Sequence, residues 1–235
     1  MSSGMVRWGG FAVLIGIAIS VVFPFVAFGL AGQQVLQAGA ASVSGGLKIA
    51  TAIVNAVVVA IVVFAFYTTK GYFNALSYHR ADISIYIILG VQIVWGVIGL
   101  IVNISGALTS LVQSGNMRIV GIIGIVILVT MLIFVISLMI FAIFSISFGR
   151  IGGSMWKAIG ILYLIGLIGI FVSVIVFGVN ARGMAGVPSL NAVFAAGALL
   201  LLALLCYAAA IVCHGIGLLS GAEQMERRPS PADVF

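Results

Sequence analysis

Charged side chains are scarce in this chain of 235 residues. Asp, Glu, Lys and Arg together make up 6% of the sequence, and only four residues are acidic. Ordinary soluble domains carry about a quarter charged residues, because a charged surface keeps them dispersed in water. Apolar residues reach 64% here, and lipid is the solvent in which apolar side chains can face outward. The shortage of charge therefore excludes a soluble domain and predicts an integral membrane protein.

Clustered basic residues, the footprint of a nucleic-acid-binding protein, are also missing. The formal net charge is +6, but the longest basic run is the pair Arg227-Arg228. We therefore expect no nucleic acid as a partner. The expected partners are the lipid bilayer and either other membrane proteins or further copies of this chain.

Titratable and nucleophilic side chains are few as well, with two histidines and two cysteines. Catalysis needs such groups gathered in one place, and no glycine loop precedes a Lys-Ser or Lys-Thr pair to bind phosphate. Cys206 and Cys213 share one apolar run, where a helix would hold them about 10 Å apart, too far for a disulfide. We expect no enzymatic activity, no metal ligand and no cofactor.

Long apolar stretches are what the chain does contain, and six of them can cover the roughly 20 residues that a membrane span requires. The predicted spans are residues 9–30, 49–69, 83–111, 119–148, 158–179 and 190–219. They predict an all-α integral membrane protein, a bundle of six transmembrane helices in one domain (1–219) with a short, partly disordered cytoplasmic tail (220–235). The first span is too long for a typical signal peptide, whose apolar part is about 7–15 residues, so we expect it to be retained.

The basic residues divide unequally between the two sides of this topology. Seven fall on the side of both termini and three on the other: Arg7, Lys70, Arg80, Arg150, Lys157, Arg227 and Arg228 against Lys48, Arg118 and Arg182. Because loops rich in Lys and Arg stay in the cytoplasm, we predict a multi-pass protein of the cell membrane with cytoplasmic N- and C-termini.

The spans also resemble one another. Phe66–Gly71 can be laid over Phe144–Gly149, and Tyr86 then matches Tyr163 at nearly the same offset. This pattern predicts a helical hairpin used three times, related by an axis near the membrane normal. Chance alignment of apolar sequences, which use few residue types, is the alternative.

Six glycines within the third and fifth spans indicate close helix packing, since small residues let helix backbones approach one another in lipid. They are Gly90, Gly96, Gly99, Gly160, Gly166 and Gly169.

Two sets of polar residues are candidates for function. Asn55 and Gln92 lie within spans and would either bridge helices by hydrogen bonds or line a polar path. His79, Asp82 and His214 fall near the cytoplasmic face and could form a titratable cluster, because a histidine beside a carboxylate titrates near neutral pH. The alternative for His79 and Asp82 is an interfacial loop in which Arg80 pairs locally with Asp82.

The helix ends carry a Phe/Tyr-x₄-Gly step, at Phe66–Gly71 and Phe144–Gly149. The chain resembles archaeal multi-pass membrane proteins of unknown function in this Phe/Tyr-x₄-Gly step and in having five or six spans. The resemblance implies a helical membrane fold and no particular activity.

Two functions fit these observations. A non-catalytic accessory or assembly subunit, packing with other membrane proteins, would explain the glycine-rich spans, the minimal loops and the missing chemistry. The alternative is a small-solute or ion permease or channel that acts as an oligomer and uses Asn55 and Gln92. A water-accessible cavity lined by these two amides would favour transport.

Overall fold

The computed structural model describes residues 1–38, 45–105, 117–182 and 190–227, and this part of the chain is all-helical. The six helices are α1 (Ser3–Ala38), α2 (Gly45–Ala75), α3 (Asp82–Ser105), α4 (Met117–Gly152), α5 (Ser154–Arg182) and α6 (Leu190–Glu226). Each contains a segment long and apolar enough to cross a membrane, so the prediction of six such helices is confirmed by length and composition.

Helices α1 and α6 extend beyond the predicted spans. An ion pair joins their extended ends, since the Arg7 guanidinium lies 2.8 Å from a carboxylate oxygen of Glu226. Gly221 and Ala222 are buried in the same region. The segment predicted to be a tail from Ser220 is therefore helical as far as Glu226. Residues 228–235, and the predicted end of the third span at 106–111, lie outside the described residues.

The helices contact one another in a closed circuit that follows the chain. Each helix packs against its predecessor and its successor, and α1 packs against α6. A smaller contact joins α2 and α6 across the middle. Every helix therefore has at least two neighbours, and the contacts do not single out three hairpins. The repeat stays a prediction, and its matched tyrosines differ in environment: Tyr86 is 58% exposed and Tyr163 is 3% exposed.

Four of the six predicted packing glycines lie against a neighbouring helix. A Cβ atom at these positions would overlap Val59 (from Gly96), Ala142 and Ile146 (from Gly160), Tyr207 (from Gly166) or Ala203 (from Gly169). At Gly90 and Gly99 an added Cβ would meet no described atom within 4 Å. A further close approach joins α1 to α6, where a Cβ at Gly10 would overlap the Gly215 carbonyl.

The turn between α2 and α3 is fixed by a left-handed residue. Ser77 has a φ of 59°, and the amides of Ser77 and Tyr78 donate to the carbonyls of Asn74 and Phe73, both at 2.9 Å. This is the hydrogen-bond pattern of a Schellman motif, in which an apolar contact usually accompanies the bonds. Here the Tyr78 ring packs edge-on against Phe73 with centroids 5.7 Å apart.

Both described termini and the α2–α3 and α4–α5 connections lie at one end of the molecule, which we call the termini end. The Tyr72 hydroxyl near the end of α2 donates to Gln224 of α6 at 3.0 Å, and Arg7 pairs with Glu226. Gly153, with a φ of 98°, separates α4 from α5.

Packed aromatic rings fill the middle of the circuit towards the termini end. We call this the aromatic layer; its residues are Phe66, Tyr72, Phe73, Tyr78, Phe141, Phe148, Trp156 and Tyr163, all buried. The rings of Phe73 and Phe148 lie closest, with centroids 4.0 Å apart. Large apolar side chains elsewhere face outward, as a lipid environment allows.

Candidate functional site

A cavity of about 480 Å³ lies in the middle of the helix circuit, beyond the aromatic layer. All six helices contribute to its wall. Along α6 the lining runs from Leu204 to His214, a rise of about 15 Å at 1.5 Å per residue. Small-molecule sites are typically about 300–1,000 Å³ and mainly apolar with a few polar groups, so this central cavity has the size of a ligand site.

His214 forms part of the cavity floor and is 2% exposed. Four rings of the aromatic layer surround its imidazole, of which Tyr163 lies edge-on at 6.2 Å. Phe66 and Trp156 approach edge-on at 5.5 Å, and Phe141 is stacked at 5.8 Å. The ring is therefore held in one orientation by packing as well as by hydrogen bonds.

A directed chain of hydrogen bonds runs through this imidazole. The Thr69 hydroxyl donates to the Ala65 carbonyl at 2.8 Å, which uses its only hydrogen. Its oxygen, 2.7 Å from His214 Nε2, must then accept from that nitrogen. Nδ1 is left as the acceptor for the Tyr163 hydroxyl at 3.3 Å. These partners assign a neutral imidazole that carries its proton on Nε2.

Three other polar side chains line the cavity without a partner. Ser20, Gln92 and Tyr207 form no side-chain hydrogen bond with any described residue. Ser20 is exposed, and Gln92 and Tyr207 are half-buried, so a molecule in the cavity could reach each of them. Such groups converging on an apolar cavity are the usual arrangement for fixing the orientation of a ligand.

The two amides predicted from the sequence have different environments. Gln92 on α3 is half-buried and lines the central cavity. Asn55 on α2 is exposed on the outside of the helix and does not line that cavity. The structure therefore does not place them on one polar path within this chain.

The three residues predicted as a titratable cluster are also divided. His79 and Asp82 lie together in the turn before α3, with Nδ1 and Oδ2 3.4 Å apart. Asp82 thus pairs with His79 rather than with Arg80, the partner considered in the alternative. His214 lies in the interior instead, and its described polar partners are Thr69 and Tyr163.

Thr69, Tyr163 and Tyr207 are site residues that the sequence did not single out. A hydroxyl within an apolar span was the available signal, but many such hydroxyls bond to the backbone of their own helix, as Ser145 does to Phe141. Among the described residues, no three His, Cys, Asp or Glu side chains are grouped so as to hold a metal ion.

Comparison of the chain with protein-family models, with curated proteins and with solved structures gave no match. The proposed function therefore rests on the central cavity and its polar groups.

Proposed function

We propose that this protein binds a small, largely apolar molecule with one hydrogen-bonding group in its central cavity. The observation that carries the proposal is an apolar cavity of ligand size whose wall contains three polar side chains without a described hydrogen-bond partner. The groups at the cavity are hydroxyls, an amide and a neutral imidazole, which can hold a ligand by hydrogen bonds. The proposed role is therefore binding rather than catalysis, and it requires no cofactor.

The hydrogen-bond directions define the polar group of the ligand. Tyr163 donates its hydrogen to His214, so its oxygen is left as an acceptor beside the cavity. Gln92 and Tyr207 can each donate or accept. A hydroxyl on the ligand complements these groups, because it can donate to Tyr163 while it accepts from Gln92 or Tyr207. We propose an apolar alcohol or phenol as the ligand class.

Passage of the solute through the chain is a second proposal, favoured by the closed circuit of helices around the cavity. Below the cavity the path is closed where Thr69 of α2 meets His214 of α6. Opening it would require these two residues to separate and the rings of the aromatic layer around His214 to move aside. The permease predicted from the sequence acts as an oligomer. In this second proposal the path instead lies within one chain.

The accessory-subunit hypothesis also stays a proposal. Its support is the apolar outer surface, which would suit a partner helix as well as lipid, and the exposed amide of Asn55. Insertion in the cell membrane with cytoplasmic termini is likewise proposed, on the basis of the seven basic residues assigned to the termini end.

The binding proposal is tested by identifying what the protein carries. Wild-type protein and the variants Gln92→Leu and Asn55→Leu would be purified in mild detergent, and the bound small molecules extracted for mass spectrometry. Wild type should carry a stoichiometric apolar alcohol or phenol. Loss of one hydrogen bond, about 1 kcal/mol, should weaken the affinity about fivefold in Gln92→Leu, so its occupancy should fall below that of wild type when the samples are diluted.

Asn55→Leu is the matched control, since it removes the same group from outside the cavity and should leave the occupancy unchanged. Absence of any such molecule from the wild type, or equal occupancy in both variants, would contradict the proposal.

A further inference from the structure

A second cavity, of about 960 Å³, lies at the termini end. Its wall is formed by the turn between α2 and α3, the last turns of α4 and the first turn of α5. It shares no lining residue with the central cavity. Any ligand here is therefore independent of the one proposed above.

Three cations converge on this second cavity from three different elements. Arg80 comes from the turn, Arg150 from the last turn of α4 and Lys157 from the first turn of α5. All three are exposed, and within the described ranges none of them forms an ion pair. Among the residues that the structure describes, no carboxylate lines the cavity, so no described side chain there compensates the positive charge.

The three described acidic residues lie outside the cavity wall: Glu223 is exposed on α6, and the other two are paired. Asp82 pairs with His79 and Glu226 pairs with Arg7. The Tyr78 hydroxyl in the cavity wall donates to the Phe144 carbonyl at 3.0 Å. Burial raises the pKa of Tyr78, and Arg80 and Ser147 oppose this only in part, so the phenol is neutral and adds no negative charge.

Donors without a charge complete the wall. Ser77 and Ser154 line it with hydroxyl groups, whereas the Ser147 hydroxyl already donates to the Ile143 carbonyl at 3.3 Å. Gly153 has a φ of 98°, which allows the sharp turn that brings Arg150 and Lys157 to the same face. Guanidinium, ammonium and hydroxyl donors together are the groups that bind phosphate oxygens.

Apolar residues adjoin the cations on one side. Ile146 and Ile151 of α4 line the cavity, and Ile151 is 52% exposed. Ile143, two turns earlier on the same helix, is exposed as well. This apolar strip leads from the second cavity onto the membrane-spanning part of α4, where a phosphate ion would make no contact but an acyl chain would.

We propose that the second cavity binds the phosphate headgroup of an anionic phospholipid. Arg80, Arg150 and Lys157 contact the phosphate, and an acyl chain lies along the apolar strip of α4. Basic pockets between transmembrane helices at a cytoplasmic face are suited to anionic headgroups. A free phosphate ion shares the headgroup chemistry and is separated from the lipid by the test.

The test is lipid binding measured by native mass spectrometry of delipidated protein in detergent. Phosphatidic acid and phosphatidylcholine with identical chains would be titrated at an ionic strength of about 0.15 M, where charges farther apart than about 8 Å are screened. One phosphatidic acid should bind tightly and phosphatidylcholine weakly. Each of Arg80→Gln, Arg150→Gln and Lys157→Gln should weaken phosphatidic acid binding about fivefold, since one interfacial cation contributes about 1 kcal/mol.

Arg227→Gln is the matched control, because Arg227 is exposed at the same end but does not line the second cavity. It should change the affinity less than about twofold. Arg150→Lys keeps the charge and should keep most of the binding, which separates loss of charge from loss of folding.

Equal affinity for phosphatidylcholine, or an equal effect of Arg227→Gln, would overturn the proposed site. Inorganic phosphate in large molar excess provides the second arm. It should leave the bound phosphatidic acid in place, and complete displacement by inorganic phosphate would overturn the assignment to a lipid.

Discussion

Nε2 of His214 on α6 lies 2.7 Å from the hydroxyl oxygen of Thr69 on α2, across the middle of the helix circuit. The two helices are not consecutive in the chain, and this contact joins them directly below the central cavity. The Tyr163 hydroxyl on the other side of the imidazole extends the chain of hydrogen bonds to α5. A single side chain thus ties three helices together at the cavity floor.

Thr69→Val should destabilise the protein by about 1 kcal/mol, because the buried Nε2–H of His214 loses its acceptor. Thr69→Ser keeps the hydroxyl and should stay close to wild type. Unfolding in a dodecyl sulfate titration, followed by tryptophan fluorescence, measures the difference, since Trp156 packs 5.5 Å from the imidazole. Equal stabilities of the two variants would show that the hydrogen bond contributes nothing.

Gly160→Ala should destabilise the protein by about 1–3 kcal/mol through overpacking. An added Cβ would overlap the Ala142 carbonyl and the backbone of Ile146, neither of which can move aside cheaply. Gly90→Ala is the matched control, with no described atom within 4 Å of its Cβ, and should be neutral or stabilising by up to about 1 kcal/mol. The same unfolding titration checks both, and a reversed order would contradict the packing of α4 against α5.

Ser77→Gly should stabilise the protein by about 1 kcal/mol, because Ser77 has a φ of 59° and a left-handed conformation is unfavourable for residues with a Cβ. Ser77→Ala keeps the Cβ and should leave the stability near that of wild type. Thermal unfolding followed by circular dichroism compares the two. A stabilisation by alanine equal to that by glycine would show that backbone strain is not the cause.

Cytoplasmic termini predict a defined pattern of labelling from outside the cell. In a background without Cys206 and Cys213, a membrane-impermeant maleimide should label Ser44→Cys, which the sequence places in the external α1–α2 connection. It should not label Ser154→Cys at the termini end until the membrane is permeabilised. Labelling of Ser154→Cys in intact cells would reverse the proposed orientation.

The helices were predictable from the sequence, but the cavity was not. An apolar run of span length gives a helix whatever its neighbours are, so six helices could be located. The sequence does not show as clearly which face of a span points towards the interior of the bundle, because outward-facing residues are as apolar as buried ones. Asn55 and Gln92 carry the same functional group, yet only Gln92 lines the cavity.

The contacts of polar side chains in the interior were also hard to predict, because they depend on how each helix is rotated about its own axis. His214 was expected at the cytoplasmic face because the predicted span ended at 219. The helix continues to Glu226, and His214 is buried among rings from α2, α4 and α5. The pairing of His79 with Asp82 was accessible, since the two residues are three apart in one turn.

Filling the central cavity tests the main proposal most directly. Ala208 lines the cavity on α6, whereas Ala60 on α2 is exposed outside it. Ala208→Trp and Ala60→Trp would be purified in parallel, and the bound apolar alcohol or phenol measured by native mass spectrometry. Our account predicts that Ala208→Trp loses the ligand while Ala60→Trp retains it at the wild-type level. Full retention of the ligand by a folded Ala208→Trp variant would contradict the account.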